Sequence, residues 1–145
     1  MIKFKTIDEE NFQVCIDLTG GIEQEQNEFV DSVLYSLAEA WVYRDSMEAF
    51  AIYQEEQIIG FVSMYVREEN PQIINFLIDV AFQDRGYGTQ AASRCIEYLQ
   101  ETYQVKRISL PVHNQNEKAK RFWTKQGFSL SDTVEKDYVF MRRYE

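Results

Sequence analysis

The stretch Phe76-Leu77-Ile78-Asp79-Val80-Ala81-Phe82-Gln83-Asp84-Arg85-Gly86-Tyr87-Gly88-Thr89 decides how the rest of the chain is read. Its apolar first part ends a β-rich run that starts at Gln72, and Arg85 to Tyr103 reads as a helix entered through Gly86-Tyr87-Gly88. A helix begins with unpaired amide N–H groups and a partial positive charge, so its N-terminus suits an anion. Gly86 and Gly88 carry no Cβ, which lets a pyrophosphate approach the main chain, and Thr89 adds a hydroxyl at the helix mouth. On these residues alone, a Gly-x-Gly turn made for steric reasons is the alternative.

The same letters satisfy Gly-x-Gly-x-x-Ala from Gly86 to Ala91, the dinucleotide-binding fingerprint. That fingerprint follows the first strand of a βαβ unit and is answered by an acid at the end of the next strand. Here the next strand, Lys106 to Val112, runs into His113. The preceding runs, Met47 to Gln54, Gln57 to Arg67 and Gln72 to Val80, are joined by short turns as an antiparallel meander. Further out, Ile2 to Ile7 reads as a strand, and Glu9 to Leu18 as a short helix. Gln24 to Tyr43, after Gly20-Gly21, reads as a half-buried helix on Val30, Val33, Leu34, Leu37 and Trp41, with Trp41 expected in the core. Gln115 to Gln126 reads as a helix ended by Gly127, and Asp137 to Arg143 as a last strand. These elements make one α+β domain spanning residues 1–145.

Composition agrees with one globular domain: 145 residues, 45% hydrophobic, with nineteen Phe and Tyr against six Gly and two Pro. No apolar run approaches the roughly 20 residues that span a bilayer, and no apolar leader follows Met1, so a cytoplasmic protein with no membrane partner is expected. Cys15 and Cys95 lack metal-ligand spacing and are expected as buried reduced thiols, with no metal. The net charge of −9 argues against a nucleic-acid partner. Its distribution is uneven. Asp8 to Glu56 holds thirteen acids and one base, Arg44, whereas Lys106 to Lys125 holds six bases and one acid, Glu117. Two solvated faces would explain this; so would one cationic and one anionic substrate.

The run into Gln83-x-x-Gly86-x-Gly88 resembles motif A of the GNAT (Gcn5-related N-acetyltransferase) superfamily. Asn116-x-x-Ala119-x-x-Phe122-Trp123-x-x-x-Gly127-Phe128 resembles motif B. The helix with Ser36-Leu37-Ala38-Glu39-Ala40 resembles the bacterial spermine/spermidine branch more loosely. The resemblance implies a central, mostly antiparallel, twisted sheet of six to seven strands flanked by about four helices, and transfer of acetyl from acetyl-CoA to an amine. It further implies that Phe76, Leu77 and Ile78 pair with the pantetheine arm as an added strand, and that Gln83, Asp84, Arg85, Gly86, Tyr87, Gly88 and Thr89 hold the pyrophosphate. Asn116, Ala119 and Trp123 would line the cofactor near its thioester, and Lys118, Lys120, Arg121 and Lys125 could face the nucleotide phosphates.

Two positions depart from the family pattern. Trp123 stands where many relatives carry an acid Tyr, and an indole N–H has no useful acidity. Ile74, followed by Asn75, stands where several polyamine acetyltransferases carry a base Glu. Asp79 is then the nearest acid for handling the amine, and Tyr138 a stand-in general acid, each with a structural alternative. For the acceptor, the acids Glu28, Asp31 and Glu39 suggest a small cationic amine such as a polyamine; a protein amine or an aminoglycoside also fits the charge. A non-catalytic acetyl-CoA-binding sensor is the rival from another class. The sequence leaves the oligomeric state open, a homodimer included.

Overall fold

Gln57–Tyr65 forms a strand buried along six consecutive residues, Ile59 to Met64, because both faces of its sheet are covered. The computed structural model describes residues 1–19, 31–66 and 69–145. In chain order its elements are β1 (Ile2–Thr6), α1 (Phe12–Ile16), α2 (Val33–Val42), β2 (Met47–Gln54), β3 (Gln57–Tyr65), β4 (Gln72–Ile78) and a 3-10 turn at Val80–Phe82. There follow α3 (Tyr87–Thr102), β5 (Arg107–His113), α4 (Glu117–Lys125), β6 (Ser129–Glu135) and β7 (Tyr138–Tyr144). The seven strands run β1-β2-β3-β4-β5-β7-β6, and β4 with β5 is the parallel pair. The expected α+β class, mostly antiparallel sheet and flanking helices are all present.

Each face of the sheet has its own core. Ala91, Ala92, Cys95, Ile96 and Leu99 of α3 and Trp123 of α4 pack on Ile52, Ile59, Val62, Met64 and Ile73. On the other face, Cys15 of α1 and Val33 of α2 pack on Ala51, Tyr53, Phe61 and Leu77. The two cysteines are free and fully buried; burial pushes the Cys15 thiol up to about 11 and the Cys95 thiol higher still.

Several boundaries moved for identifiable reasons. The first helix does not reach back to Glu9, because Asp8 Oδ1 accepts from the Glu10 and Asn11 amides and Asn11 Oδ1 accepts from the Asp8 amide, closing a tight turn. α2 starts at Val33 behind the Ser32 cap, whose Oγ accepts from the Tyr35 amide. Gly20-Gly21, Glu28 and the earlier part of the expected helix lie outside the described residues. Trp41 is a correction: expected in the core, it is 69% exposed, beyond the edge of the side of α2 that buries Val33 and Ser36. Strand β6 escaped sequence reading because it is the exposed edge strand, with Leu130 and Val134 as its apolar residues and neither buried.

Candidate active site

The site is opened by an irregularity in β4. Ser63 pairs with Asn75 and Met64 with Ile73, so Ile74 is an extra residue bulged out of the β3–β4 ladder. β4 and β5 pair at Gln72 and Ser109, and from there towards Ile78 the two strands diverge. The parting is held by a buried amide: Asn75 Nδ2 donates to the Asp31 carbonyl at 3.0 Å and to Ser36 Oγ at 2.9 Å, tying the bulge to the start of α2. Two clefts flank the divergence, and Phe76, Asn116, Ala119 and Trp123 line both.

The first cleft is a groove of about 320 Å³ lined by Phe76, Leu77, Ile78, Gln83, Asp84, Gly86, Gly88 and Thr89, with Asn116, Lys118, Ala119, Phe122 and Trp123 opposite. Asp84 and Gly86 both adopt left-handed backbone, φ 63° and 83°, which turns the loop into the first turn of α3. A Cβ built on Gly86 meets no atom within 4 Å, so the glycine answers its backbone angle and leaves open space beside the helix mouth. Gln83 Nε2 donates to the Ile78 carbonyl at 2.8 Å and fastens the loop to β4. These residues fit a CoA pyrophosphate and pantetheine arm: an open glycine cradle at a helix N-terminus beside a strand edge that has left its neighbour.

Arg85 and Tyr87, expected in the same loop, do not line the groove. The Arg85 guanidinium lies 5.8 Å from the Phe82 ring centroid, and Tyr87 packs against the core. The basic cluster of α4 divides as well. Lys118 lines the groove, whereas Lys120 Nζ is taken by the Asn114 carbonyl at 2.6 Å and Glu117 at 3.3 Å. Asn116 caps α4, its Oδ1 accepting from the Ala119 amide. Trp123 is a buried wall, packed edge-on against Phe76, Phe122 and Phe128 at 4.9–5.4 Å between centroids.

The second cleft, about 740 Å³, runs from the bulge residues Ile73, Ile74 and Asn75 to Pro111, His113, Glu135, Lys136 and Tyr138, with Asp31 at its side. Sequence reading found Asp31 and Tyr138 here and missed His113 and Glu135. A histidine ending a strand gave no spacing signal, and Glu135 belongs to the unrecognised β6. His113 Nδ1 accepts the Gln115 amide at 3.1 Å, which places the neutral ring's proton on Nε2, and the ring meets Tyr138 edge-on at 5.4 Å. Burial, then Asp31 and Asp137, push the Tyr138 phenol up, so it stays protonated at neutral pH. Partial burial raises the Asp31 carboxyl although much of the residue meets solvent; burial and then Asp31 raise Glu39. Glu39 does not line the cleft; its Oε1 is buried with no hydrogen-bond partner among the described residues.

Asp79 also lies outside both clefts. Its Oδ1 accepts the Ala81 amide at 2.9 Å and its Oδ2 the Thr19 amide at 3.0 Å, so the carboxylate caps the 3-10 turn and ties it to the residues after α1. That engagement corrects the expectation of a catalytic Asp79.

Two clefts that share a wall, one beside an open glycine turn at a helix N-terminus and one beside the parted strands, fit the class of acyl-CoA-dependent transferases. The Acetyltransferase (GNAT) family model matches residues 15–128, and the chain belongs to that family of acetyl-CoA-dependent N-acetyltransferases. The spermine/spermidine N(1)-acetyltransferase of Bacillus subtilis (strain 168) is 26% identical over 143 residues, covering 92% of this chain and 91% of that one. Among solved structures, spermidine N-acetyltransferase from Vibrio cholerae in complex with CoA and spermine superposes with a TM-score of 0.78 at 15% identity, over 99% of this chain and 95% of that one. The PaiA N-acetyltransferase from Thermoplasma acidophilum in complex with coenzyme A gives 0.75 at 14%, over 100% and 99%.

Proposed function

We propose that the chain transfers acetyl from acetyl-CoA to a primary amine of a small polycation of the polyamine type, by direct attack while both reactants are bound. The observation that carries this reading is the shared wall of Phe76, Asn116, Ala119 and Trp123 between the groove and the larger cleft, where acids outnumber bases. The similarity to spermine/spermidine acetyltransferases supports the acceptor class. Asp31 and Glu135 hold the ammonium groups, Glu39 adds field from behind Asp31, and the edge of β4 from Phe76 to Ile78 pairs with the pantetheine arm.

Proximity supplies much of the rate, since two reactants held in line gain effective molarities of about 10⁵ M or more. The acceptor must first lose a proton, because a primary ammonium has a pKa near 10.4 and attacks only when neutral. Asp31 is the carboxylate placed to pass that proton to solvent. The amine nitrogen then bonds to the thioester carbonyl carbon, the C–S bond breaks as the tetrahedral adduct collapses, and the nitrogen releases its second proton to solvent to leave the neutral amide. Main-chain N–H groups beside the bulge steady the oxyanion. The Tyr138 phenol is too weak an acid to hand its proton over outright; it donates a hydrogen bond to the oxyanion or departing sulfur, and the thiolate takes its proton from solvent.

Release of CoA thiol across spermidine, spermine, putrescine, lysine peptides and aminoglycosides, between pH 7 and 9, tests the proposal. Turnover confined to polyamines is expected. Preference for a lysine peptide or an aminoglycoside would refute the acceptor class, and tight acetyl-CoA binding without turnover on any amine would refute the catalytic reading.

A further inference from the structure

Helix α2 is apolar on both sides. Its inner side carries Val33, Leu37 and Ala40, while its outer side exposes Leu34 at 60%, Tyr35 at 57%, Trp41 at 69% and Val42 at 65%, with exposed Ala38 between them. At 100° per residue these five outer positions fall within about 120° of arc. A helix that is hydrophobic all round belongs in an interior, and a contiguous apolar stripe on an otherwise charged surface marks a contact. Charge lies at the stripe's ends, with Asp31 before it and Arg44 and Asp45 after it, the Arg44 guanidinium folded back to 4.5 Å from the Trp41 ring centroid, the arrangement of an interface with an apolar centre and polar rim.

We infer that this stripe pairs with the same stripe of a second copy, antiparallel, across a two-fold axis at Ala38. The stripe's own order identifies the occupant. Two large residues, Leu34 and Tyr35, precede a small one, and two large residues, Trp41 and Val42, follow it at matching distance. With Ala38 on the axis, Leu34 of one copy meets Trp41 of the other and Tyr35 meets Val42. The two alanines face each other and let the helices approach closely. Each surface is complementary to itself, as a two-fold contact requires. The stripe exposes on the order of 600 Å² per copy, so a pair buries about 1,200 Å², the lower bound of stable specific interfaces. Trp and Tyr, which flank its central alanine, are residue types that concentrate binding energy.

Sedimentation of the full chain at micromolar concentration should give twice the 17.2 kDa protomer mass. Ala38→Arg places bulk and like charge on the axis and should weaken the dimer on the order of 100-fold or more, as should Trp41→Lys. Both positions are exposed, so circular dichroism and acetyl-CoA binding should stay those of the wild type. Under mild oxidation Ala38→Cys should cross-link to its own copy, whereas Tyr43→Cys, turned away from the stripe, should not; Cys15 and Cys95 are buried and do not compete. A monomeric wild type would assign the stripe to a different partner and overturn the inference. So would a dimer that survives both substitutions, or one in which Ala38→Cys does not cross-link.

Discussion

Gly86 separates a backbone requirement from a binding requirement. Its φ of 83° and ψ of −1° lie in the left-handed region, and a Cβ there would touch nothing within 4 Å. Gly86→Ala therefore meets only the intrinsic left-handed penalty, about 1–2 kcal/mol, which lowers Tm by roughly 2–8 °C in a domain of this size. Gly86→Asn should recover most of that loss, because asparagine tolerates the left-handed region. Neither variant should recover acetyl-CoA binding. Each puts side-chain atoms into the open space where the helix-mouth N–H groups must reach a pyrophosphate. Losing two charge-assisted hydrogen bonds there, about 1.5 kcal/mol each, raises Kd on the order of 100-fold. Calorimetric unfolding reads the first effect and isothermal titration with acetyl-CoA the second. A Gly86→Asn protein that binds acetyl-CoA within about threefold of the wild type would falsify the assignment of this turn as the phosphate cradle.

The remaining predictions concern charge and the helix behind the cradle. Gly88→Ala should raise Tm, since alanine gains up to about 1 kcal/mol in a helix and its Cβ would sit an ordinary 3.4 Å from Phe122 Cε1. Lys118→Glu should weaken acetyl-CoA binding severalfold in a salt-dependent way while Lys120→Glu should not, read by titration at two ionic strengths. The folded-state pKa of Asp31 is raised, so the native protein binds that proton more readily than the unfolded chain, and its stabilising contribution is lost as pH rises through the folded value. Asp31→Asn should accordingly melt higher than the wild type at pH 7, lose that advantage below about pH 4, and turn over spermidine more slowly. Wild-type kcat/KM for spermidine should climb from pH 7 to 9, because acids around the ammonium raise its pKa; a flat profile would show that deprotonation is not limiting.

The fold was legible where burial imposes a period and where glycine imposes an angle. β3 and β4 announced themselves by continuous apolar runs, α3 by its Gly-x-Gly entry, and α4 by Gly127, which takes a left-handed φ of 95°. β6 was hidden because an exposed edge strand has no face to bury, and Trp41 misled because a helix apolar on both sides gives the same period whichever side faces inward. The groove beside the glycine turn followed from main-chain chemistry, which leaves its mark in glycines. The larger cleft did not, because its walls come from β4, β5, β6 and β7, and side chains meeting across strands so distant in sequence share no spacing.

The bulge at Ile74 explains why those distant walls meet and why Asp79 is not among them. An extra residue in β4 shifts the alternation of side chains, so Ile73 enters one core, Asn75 turns to the opposite face to hold Asp31 and Ser36, and Leu77 follows it into the second core. The twist that accompanies a bulge carries β4 away from β5 just beyond Gln72, leaving main-chain groups exposed where the reactants would meet. Asp79 lies past the end of β4, where the chain turns towards the glycine cradle, and its carboxylate is used in making that turn. The bulged Ile74 brings no acid, and the cleft's carboxylates come instead from Asp31, just before α2 and fastened through Asn75, and from Glu135 of β6. One irregular residue thus parts the strands and, through Asn75, fastens Asp31 beside the larger cleft.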